Sequence, residues 1–219
     1  MARKSLVRSD VFPYHVVART NNREHFPIDL EQVWKIMCNE WFTLQITHKL
    51  EIQAFVLMPN HFHVILTTPE QNLDQVMSIF MTMTAKQINE RIDRTGHLYG
   101  GPHFRRLITS TRYYGHVLKY VYRNPVRANL SELVEGYPFT TARGILGYSP
   151  LPFPLHYTRC GLETAIPDPH HVFSWLEWLN RAFPAEAEEL IREAMKKREI
   201  NELKSPTSRR PIELLKNLL

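Results

Sequence analysis

The stretch EIQAFVLMPNHFHVILTT at residues 51–68 decides the fold of this chain. It holds two apolar runs rich in β-branched residues, 51–57 and 61–68, on either side of Met-Pro-Asn at 58–60. β-branched and aromatic residues favour strands, whereas proline and asparagine favour turns. The stretch therefore predicts two neighbouring strands joined by a tight turn.

His61 and His63 are separated by one residue inside the second predicted strand. Side chains alternate along a strand, so both imidazoles lie on one face and Phe62 lies on the other. Neutral imidazole is a common ligand of divalent metals, and two on one face suit a metal site. A buried histidine is more often an ordinary core residue, so this pattern alone leaves both interpretations open. The other nine histidines, among them His15, have no partner at a useful spacing.

Hydrophobic periodicity on both sides of the hairpin predicts alternating strands and helices. We expect a strand at 11–19, a helix at 30–47 capped by Asp29, a helix at 71–93, a strand at 105–109 and a helix at 110–123. Pro125 is expected to end the last helix, because proline disfavours helical geometry in the residue before it. This order matches an α+β fold with a ferredoxin-like split βαβ core, in which an antiparallel sheet carries helices on one face.

We predict that this core occupies residues 1–146 and is followed by two segments of different character. Residues 147–170 contain five prolines and are expected to form a linker or an irregular wrap. Residues 171–219 resume helical periodicity to about 203 and are expected to be a mainly helical C-terminal extension.

Composition excludes several classes of protein. The chain has 219 residues, of which 43 % are hydrophobic and 22 % are charged, so it is not a disordered chain. No apolar run is long enough to cross a membrane. The N-terminus lacks the apolar segment of a secretory signal, and two widely separated cysteines argue against a disulfide scaffold. We therefore expect a cytoplasmic protein.

The net charge of +5 is concentrated in one segment, residues 101–130, which we call the basic window. It contains six basic and no acidic residues, whereas 1–100 have a net charge of 0 and 131–219 a net charge of −1. Aromatic residues are interleaved with the basic ones. Because basic side chains neutralise phosphates and aromatic rings stack on unpaired bases, the window is a candidate surface for single-stranded nucleic acid. A solvated basic helix face would have the same composition.

Tyr120 and Asn124 lie four residues apart in the basic window, so on a helix they share one face. The amide oxygen of Asn124 would complete a two-histidine metal site, and a phenol is a suitable nucleophile for phosphoryl transfer. Tyr113 shares this face and is an alternative nucleophile, whereas Tyr122 lies roughly opposite and is the better candidate for packing. Tyrosines near a helix end also often only pack and donate a hydrogen bond.

The run FVLMPNHFHVIL at 55–66, followed by YVYRNPVRANL at 120–130, resembles the REP-associated tyrosine transposases. These are single-tyrosine members of the His-hydrophobe-His endonuclease superfamily, and the resemblance covers roughly residues 10–146. It implies a ferredoxin-like core, Mg²⁺ or Mn²⁺ as cofactor, and DNA strand cleavage through a 5′-phosphotyrosine intermediate. By motif, it implies that His61, His63 and Asn124 are the metal ligands and that Tyr120 is the nucleophile.

Three functions are compatible with these residues. The first is a metal-dependent single-stranded DNA endonuclease and strand transferase, transposase-like, acting on hairpin-associated DNA at the nucleoid as a monomer or homodimer. In that function the residues expected to contact DNA are Arg105, Arg106, Arg123, Arg127, Phe104 and Tyr122. The second is a non-catalytic, domesticated transposase-derived protein that binds nucleic acid. The third is a metal-dependent hydrolase of small phosphoesters that uses water as nucleophile.

Two features of the first function stay open at the level of sequence. Histidine ligands favour Mn²⁺ by affinity, whereas the abundance of Mg²⁺ in cells favours Mg²⁺. One chain completing its own site and one chain borrowing a partner's tyrosine-bearing helix are both compatible with the sequence.

Overall fold

The computed structural model of the protein describes residues 8–156, 161–184, 191 and 199–200. The strands are β1 (Tyr14–Arg19), β2 (Glu51–Met58), β3 (His61–Thr67), β4 (Phe104–Ile108) and the two-residue β5 (Glu199–Ile200). The helices are α1 (Leu30–His48), α2 (Leu73–Glu90), α3 (Thr111–Arg127), α4 (Thr141–Ile145) and α5 (Val172–Asn180).

The strands form one sheet in the order β2-β3-β1-β4-β5. The first four pair antiparallel, and β5 adds to β4 in parallel. Strands β2 and β3 are joined by only Pro59 and Asn60, as the hairpin motif predicts. The α+β class and the ferredoxin-like order of elements are therefore confirmed.

Helices cover both faces of this sheet. α1 and α2 pack on the face that carries Val16, Phe62 and Val64; the one-sided arrangement expected from the sequence describes these two helices and not α3. α3 packs on the other face, against Val56 and Ile65. Because Phe62 faces α1 and α2, strand alternation turns His61 and His63 toward the side that α3 occupies.

The helix ends agree with the sequence at α1 and differ at α3. Asp29 caps α1 by accepting a hydrogen bond from the backbone N–H of Glu31 at 2.7 Å, as predicted. The prediction that Pro125 ends the last helix is wrong, since α3 continues through it to Arg127. Proline has no N–H for the carbonyl of Val121, but Nδ2 of Asn124 donates to that carbonyl at 3.4 Å.

The proline-rich segment after the core lies along the sheet and α1. The backbone N–H of His156 donates to the carbonyl of Ile52 at 2.7 Å, and Phe153 is buried in the core of α1 and α2. Between 147 and 156 this segment has no helix or strand, in agreement with the predicted irregular wrap. The division of the chain into domains remains a prediction.

The predicted helical extension is only partly observed. α5 ends at Asn180, four residues before Pro184, and the prediction of helix to about 203 is wrong at Glu199–Ile200, which pair with the open edge of β4. The rest of the predicted helical extension, at 185–190, 192–198 and 201–219, lies outside the described residues. No described helix combines the length and apolar character that crossing a membrane requires.

Candidate active site

The two strand histidines lie side by side where β3 faces α3. Their ring centroids are 5.0 Å apart, and both rings lie in surroundings that disfavour a positive charge. Burial, followed by the nearby charge of Arg19, lowers the pKa of His61 to about 4. Burial, followed by the neighbouring His61 and His15, holds the pKa of His63 well below its usual value. Both imidazoles are therefore neutral at pH 7, which is the form that binds metals.

Each of these imidazoles has a hydrogen-bond partner at Nδ1. Nδ1 of His61 lies 2.6 Å from Oδ1 of Asn60, in the turn that joins β2 and β3. Nδ1 of His63 lies 2.9 Å from Nε2 of His15, which comes from β1. The conclusion from sequence that His15 has no partner is therefore wrong, because antiparallel pairing of β1 with β3 brings together residues 48 positions apart.

These surroundings fit a divalent metal. Nε2 of His63 is buried and has no hydrogen-bond partner within the described residues, although a buried polar atom is normally satisfied. The described residues contain no cluster of three His, Cys, Asp or Glu side chains. A metal bound by these histidines would therefore take its other ligands from an amide, from water or from a substrate phosphate.

Tyr120 lies directly beside this histidine pair. Its ring is 6.2 Å from the ring of His63 and meets it edge-on, at 81° between the two planes. The guanidinium carbon of Arg127 lies 4.9 Å from the centroid of the same tyrosine ring. One chain therefore brings together the sequence-predicted nucleophile, one of the two histidines and a cation that can stabilise negative charge.

Asn124 lies one helical turn after Tyr120, because α3 continues through Pro125. Its Nδ2 donates to the backbone carbonyl of Tyr120 at 2.9 Å in addition to that of Val121. Both donors of the amide thus serve the helix backbone, which leaves Oδ1 as the atom available for a metal.

Tyr113, the alternative nucleophile, is more deeply buried than Tyr120. It is 1 % exposed, against 8 % for Tyr120, and burial raises the pKa of its phenol above the usual value. A phenol in this position is harder for a phosphate to reach and harder to ionise.

Three of the residues expected to contact DNA lie on β4 and differ in exposure: Arg105 is partly exposed, whereas Arg106 is only 7 % exposed and donates to the carbonyl of Arg105. Phe104 is 60 % exposed, and the guanidinium carbon of Arg106 lies 4.6 Å from the centroid of its ring. Arg105 forms an ion pair with Asp74 and donates to Nε2 of His103 at 3.2 Å. This arrangement offers an exposed ring next to guanidinium groups, one of which is partly neutralised by a carboxylate.

The structure corrects the roles expected of Arg123 and Tyr122. Arg123 is 7 % exposed, and its guanidinium donates to the carbonyls of Leu179 and Asn180 at 3.1 and 2.7 Å. Tyr122 is 1 % exposed and packs edge-on against Trp175, so its ring has no free face for a base. Both side chains attach α5 to α3, because residues after the core cover this side of the helix.

Sequence reasoning missed two residues of the site, His15 and Arg19, which both lie on β1. His15, Val17 and Arg19 lie at every second position of β1 and therefore on the same face. Val17 is the register partner of His63, and Arg19 is the register partner of His61. The alternation of His, Val and Arg in HVVAR was visible in the sequence, since it places His15 and Arg19 on one face of a strand. It gained a meaning only once β1 was known to lie beside β3.

Comparisons with known proteins show the family of this chain. The family model described as "Transposase IS200 like" matches residues 9–124, a span that runs from the start of the sheet into α3 and holds both histidines, Tyr120 and Asn124. None of the curated proteins compared with the chain matches it.

Two solved structures are similar to this chain to different degrees. The structure of a REP-associated tyrosine transposase bound to a REP hairpin is 22 % identical, with a TM-score of 0.52, and the match covers 74 % of this chain and 95 % of that one. A putative transposase from Deinococcus radiodurans is 17 % identical, with a TM-score of 0.38, over 55 % of this chain and 94 % of its own. The first of these shares the fold described above. Because the family model spans more than half of the chain, the protein belongs to the IS200-like transposases, a family of DNA-processing enzymes.

Proposed function

We propose that this transposase is a metal-dependent single-stranded DNA endonuclease and strand transferase whose nucleophile is Tyr120. The observation that carries the proposal is the 6.2 Å between the rings of Tyr120 and His63. An attacking phenol has to stand next to the groups that neutralise the phosphate, and here a single chain holds them together. The same closeness supports a site completed within one chain, so that a monomer suffices.

The groups proposed to hold the cation are His61, His63 and Asn124. Two neutral imidazoles and an amide oxygen suit Mn²⁺ by affinity and Mg²⁺ by availability. Bound there, either ion would polarise a phosphate and offset the negative charge that develops on its oxygens.

The proposed step is a transesterification. The phenol oxygen of Tyr120 attacks the phosphorus, a bond from that oxygen to phosphorus forms, and the bond from phosphorus to the 3′ oxygen breaks. The phenol loses its proton and the departing 3′ oxygen takes one up, so that a 5′-phosphotyrosine and a free 3′-hydroxyl result. Reversal with another 3′-hydroxyl joins two strands. Arg127, which lies over the tyrosine ring, would stabilise the charge on the phosphate.

The proposed substrate is single-stranded DNA next to a hairpin. The similar REP-associated tyrosine transposase was solved bound to a REP hairpin. In this chain, the exposed Phe104 ring would stack on a base, while the partly exposed Arg105 would contact the backbone. Such a substrate would place the protein in the cytoplasm, at the nucleoid.

The direct test is the covalent adduct. A hairpin oligonucleotide with a single-stranded flank, labelled at its 3′ end, is incubated with the protein and Mn²⁺ or Mg²⁺ and then separated on a denaturing gel. We expect a labelled protein band that needs the cation and that Tyr120→Phe reduces by on the order of 10³-fold or more. Tyr113→Phe is the matched control and keeps the band. Loss of the band in Tyr113→Phe but not in Tyr120→Phe would exchange their roles.

The same samples separate the other two functions. A non-catalytic binder would retain the hairpin with strongly salt-dependent affinity and form no adduct with either cation. A hydrolase of small phosphoesters would turn over a chromogenic phosphodiester, and its turnover would survive Tyr120→Phe. Either result would overturn the proposal.

A further inference from the structure

His15 makes an unusual contact for a buried histidine, because its partner is another imidazole. Its Nε2 lies 2.9 Å from Nδ1 of His63, and the two ring planes differ by only 5°. Nearly parallel rings that touch through their nitrogens share an N–H···N hydrogen bond along the contact, so one nitrogen carries the hydrogen and the other accepts it.

The direction of this hydrogen bond decides where His63 keeps its lone pair. If His15 donates, Nδ1 of His63 accepts, and a neutral His63 must carry its hydrogen on Nε2. That hydrogen would be buried with no acceptor among the described residues, and a bound cation could not satisfy it, whereas a cation could satisfy a lone pair at the same atom. If His63 donates, Nε2 keeps the lone pair and is free for a metal.

His61 shows the same pattern with a different partner. Its Nδ1 lies 2.6 Å from Oδ1 of Asn60, an oxygen that can only accept, so His61 carries its hydrogen on Nδ1 and its lone pair on Nε2. Donation from Nδ1 of His63 to His15 would give both histidines of the pair the same tautomer. Metal-binding histidines generally donate their second N–H to a fixed acceptor, which orients the ring.

We propose that His15 is a positioning residue of the site: it accepts the hydrogen bond from Nδ1 of His63 and thereby fixes the lone pair of His63 on Nε2. The inference rests on the proposed function for the role of that lone pair in binding a cation. It goes beyond it by assigning a task to a residue outside the His-hydrophobe-His motif and outside the proposed ligands.

The position of His15 suits such a task because its backbone is held on both sides. It lies in β1, a central strand of the sheet, opposite Ile65 of β3 and opposite Arg106 of β4. The side chain is buried, so the ring has little freedom to turn away from His63. An acceptor on a flexible loop would hold the tautomer less firmly.

The first test uses the metal-free protein and no DNA. Long-range proton–nitrogen correlation spectra of nitrogen-labelled histidines report which ring nitrogen carries the hydrogen. We expect the wild type to carry it on Nδ1 in both His15 and His63. In His15→Phe, which keeps a ring but has no acceptor, His63 is expected to become a mixture of tautomers. His15→Gln, which offers an amide oxygen, restores the Nδ1–H form of His63.

The second test measures Mn²⁺ affinity by calorimetry on the same proteins. We expect His15→Phe to bind about 10-fold to 100-fold more weakly than the wild type and His15→Gln to bind within a few-fold of it. His103→Phe is the matched control, since it removes a histidine with a largely buried side chain that contacts Arg105 and Asp74 instead of His63. It leaves the tautomer of His63 and the Mn²⁺ affinity unchanged.

The outcomes keep this inference separate from the proposed function. A wild-type His63 that carries its hydrogen on Nε2, or a tautomer unchanged in His15→Phe, overturns the role of His15 whatever the activity is. If the spectra are as expected and the wild type binds no Mn²⁺, His15 still sets the tautomer, and the metal site of the proposed function is wrong. If His15→Phe does not fold, the wild-type and His15→Gln spectra decide.

Discussion

Helix α3 has two polar sides that come from the same basic window and have opposite fates. On the site side, Tyr120 and Arg127 lie beside the histidine pair. On the extension side, Lys119 and Arg123 are buried under residues 178–183. In sequence these residues alternate within nine positions and nothing in their composition separates them. The comparison shows that a local excess of charge identifies the helix that carries the basic side chains. The segment that packs on this helix decides which of those side chains are accessible to a phosphate.

The extension side uses its cations for folding. The Lys119 ammonium lies 5.5 Å from the centroid of the Trp178 ring and 4.8 Å from that of Phe183, distances at which a cation is attracted to an aromatic face. Burial, followed by the charges of Arg123 and Arg181, lowers the pKa of Lys119 to about 8. Arg123 bonds the carbonyls at the end of α5, where a helix dipole favours a positive charge.

The largest effect expected from a substitution on either side of α3 is a loss of stability on the extension side. Arg123→Met removes the charged donors of two carbonyls and should lower the free energy of unfolding by about 2 kcal/mol, measured by urea denaturation. The salt dependence of DNA binding should not change, because this guanidinium meets no phosphate. A lower salt slope with unchanged stability would return Arg123 to the DNA-contacting residues.

The corresponding substitution on the site side is at Arg127, one turn further along α3. Arg127→Gln should slow formation of the covalent adduct about tenfold, because it removes a positive charge next to the nucleophile, and should leave the urea midpoint nearly unchanged. Arg112→Gln, an exposed position on the first turn of the same helix, is the control and should not slow the adduct. Equal rates of adduct formation in both variants would show that Arg127 has no particular role in stabilising charge next to the nucleophile.

A smaller effect should appear as a pH dependence of stability from the extension side. His116 packs against Phe183, and burial, followed by the charges of Arg112 and Lys119, lowers its pKa to about 4. Between pH 6.5 and 4 the unfolded chain therefore binds a proton that the folded chain does not, so stability falls as the pH falls.

The measurement is the urea midpoint at pH 6.5 and at pH 5 for the wild type and for His116→Phe. We expect the wild type to lose on the order of 1 kcal/mol more than the variant over this interval. An identical loss in both proteins would mean that His116 does not stay neutral in the folded state.

The sequence predicted the parts of this molecule that depend on local periodicity. The alternation in 51–68 located the hairpin and the shared face of His61 and His63, and the capping residue Asp29 marked the start of α1. These features are local because strand alternation and helix capping involve residues within a few positions of each other.

The parts that sequence reasoning missed depend on contacts between distant residues. His15 gained a partner only through the pairing of β1 with β3, and Arg123 lost its predicted phosphate through contacts with Leu179 and Asn180. The end of α3 was misplaced for a different reason: the Asn124 side chain substitutes for the N–H that Pro125 lacks, and propensity rules describe the backbone alone.

The hydrogen bonds from Arg123 to α5 also bear on how this protein can be shortened. The family match ends at residue 124 and the predicted core ends at 146, so either position could be chosen as the C-terminal end of a shortened protein. Either cut would remove the carbonyls that Arg123 binds and the Trp175 ring that covers Tyr122, leaving an apolar strip exposed on the helix that carries the nucleophile. The expected result is a fragment that is poorly soluble and prone to aggregation. A shortened transposase that ends no earlier than residue 184 keeps this covering in place.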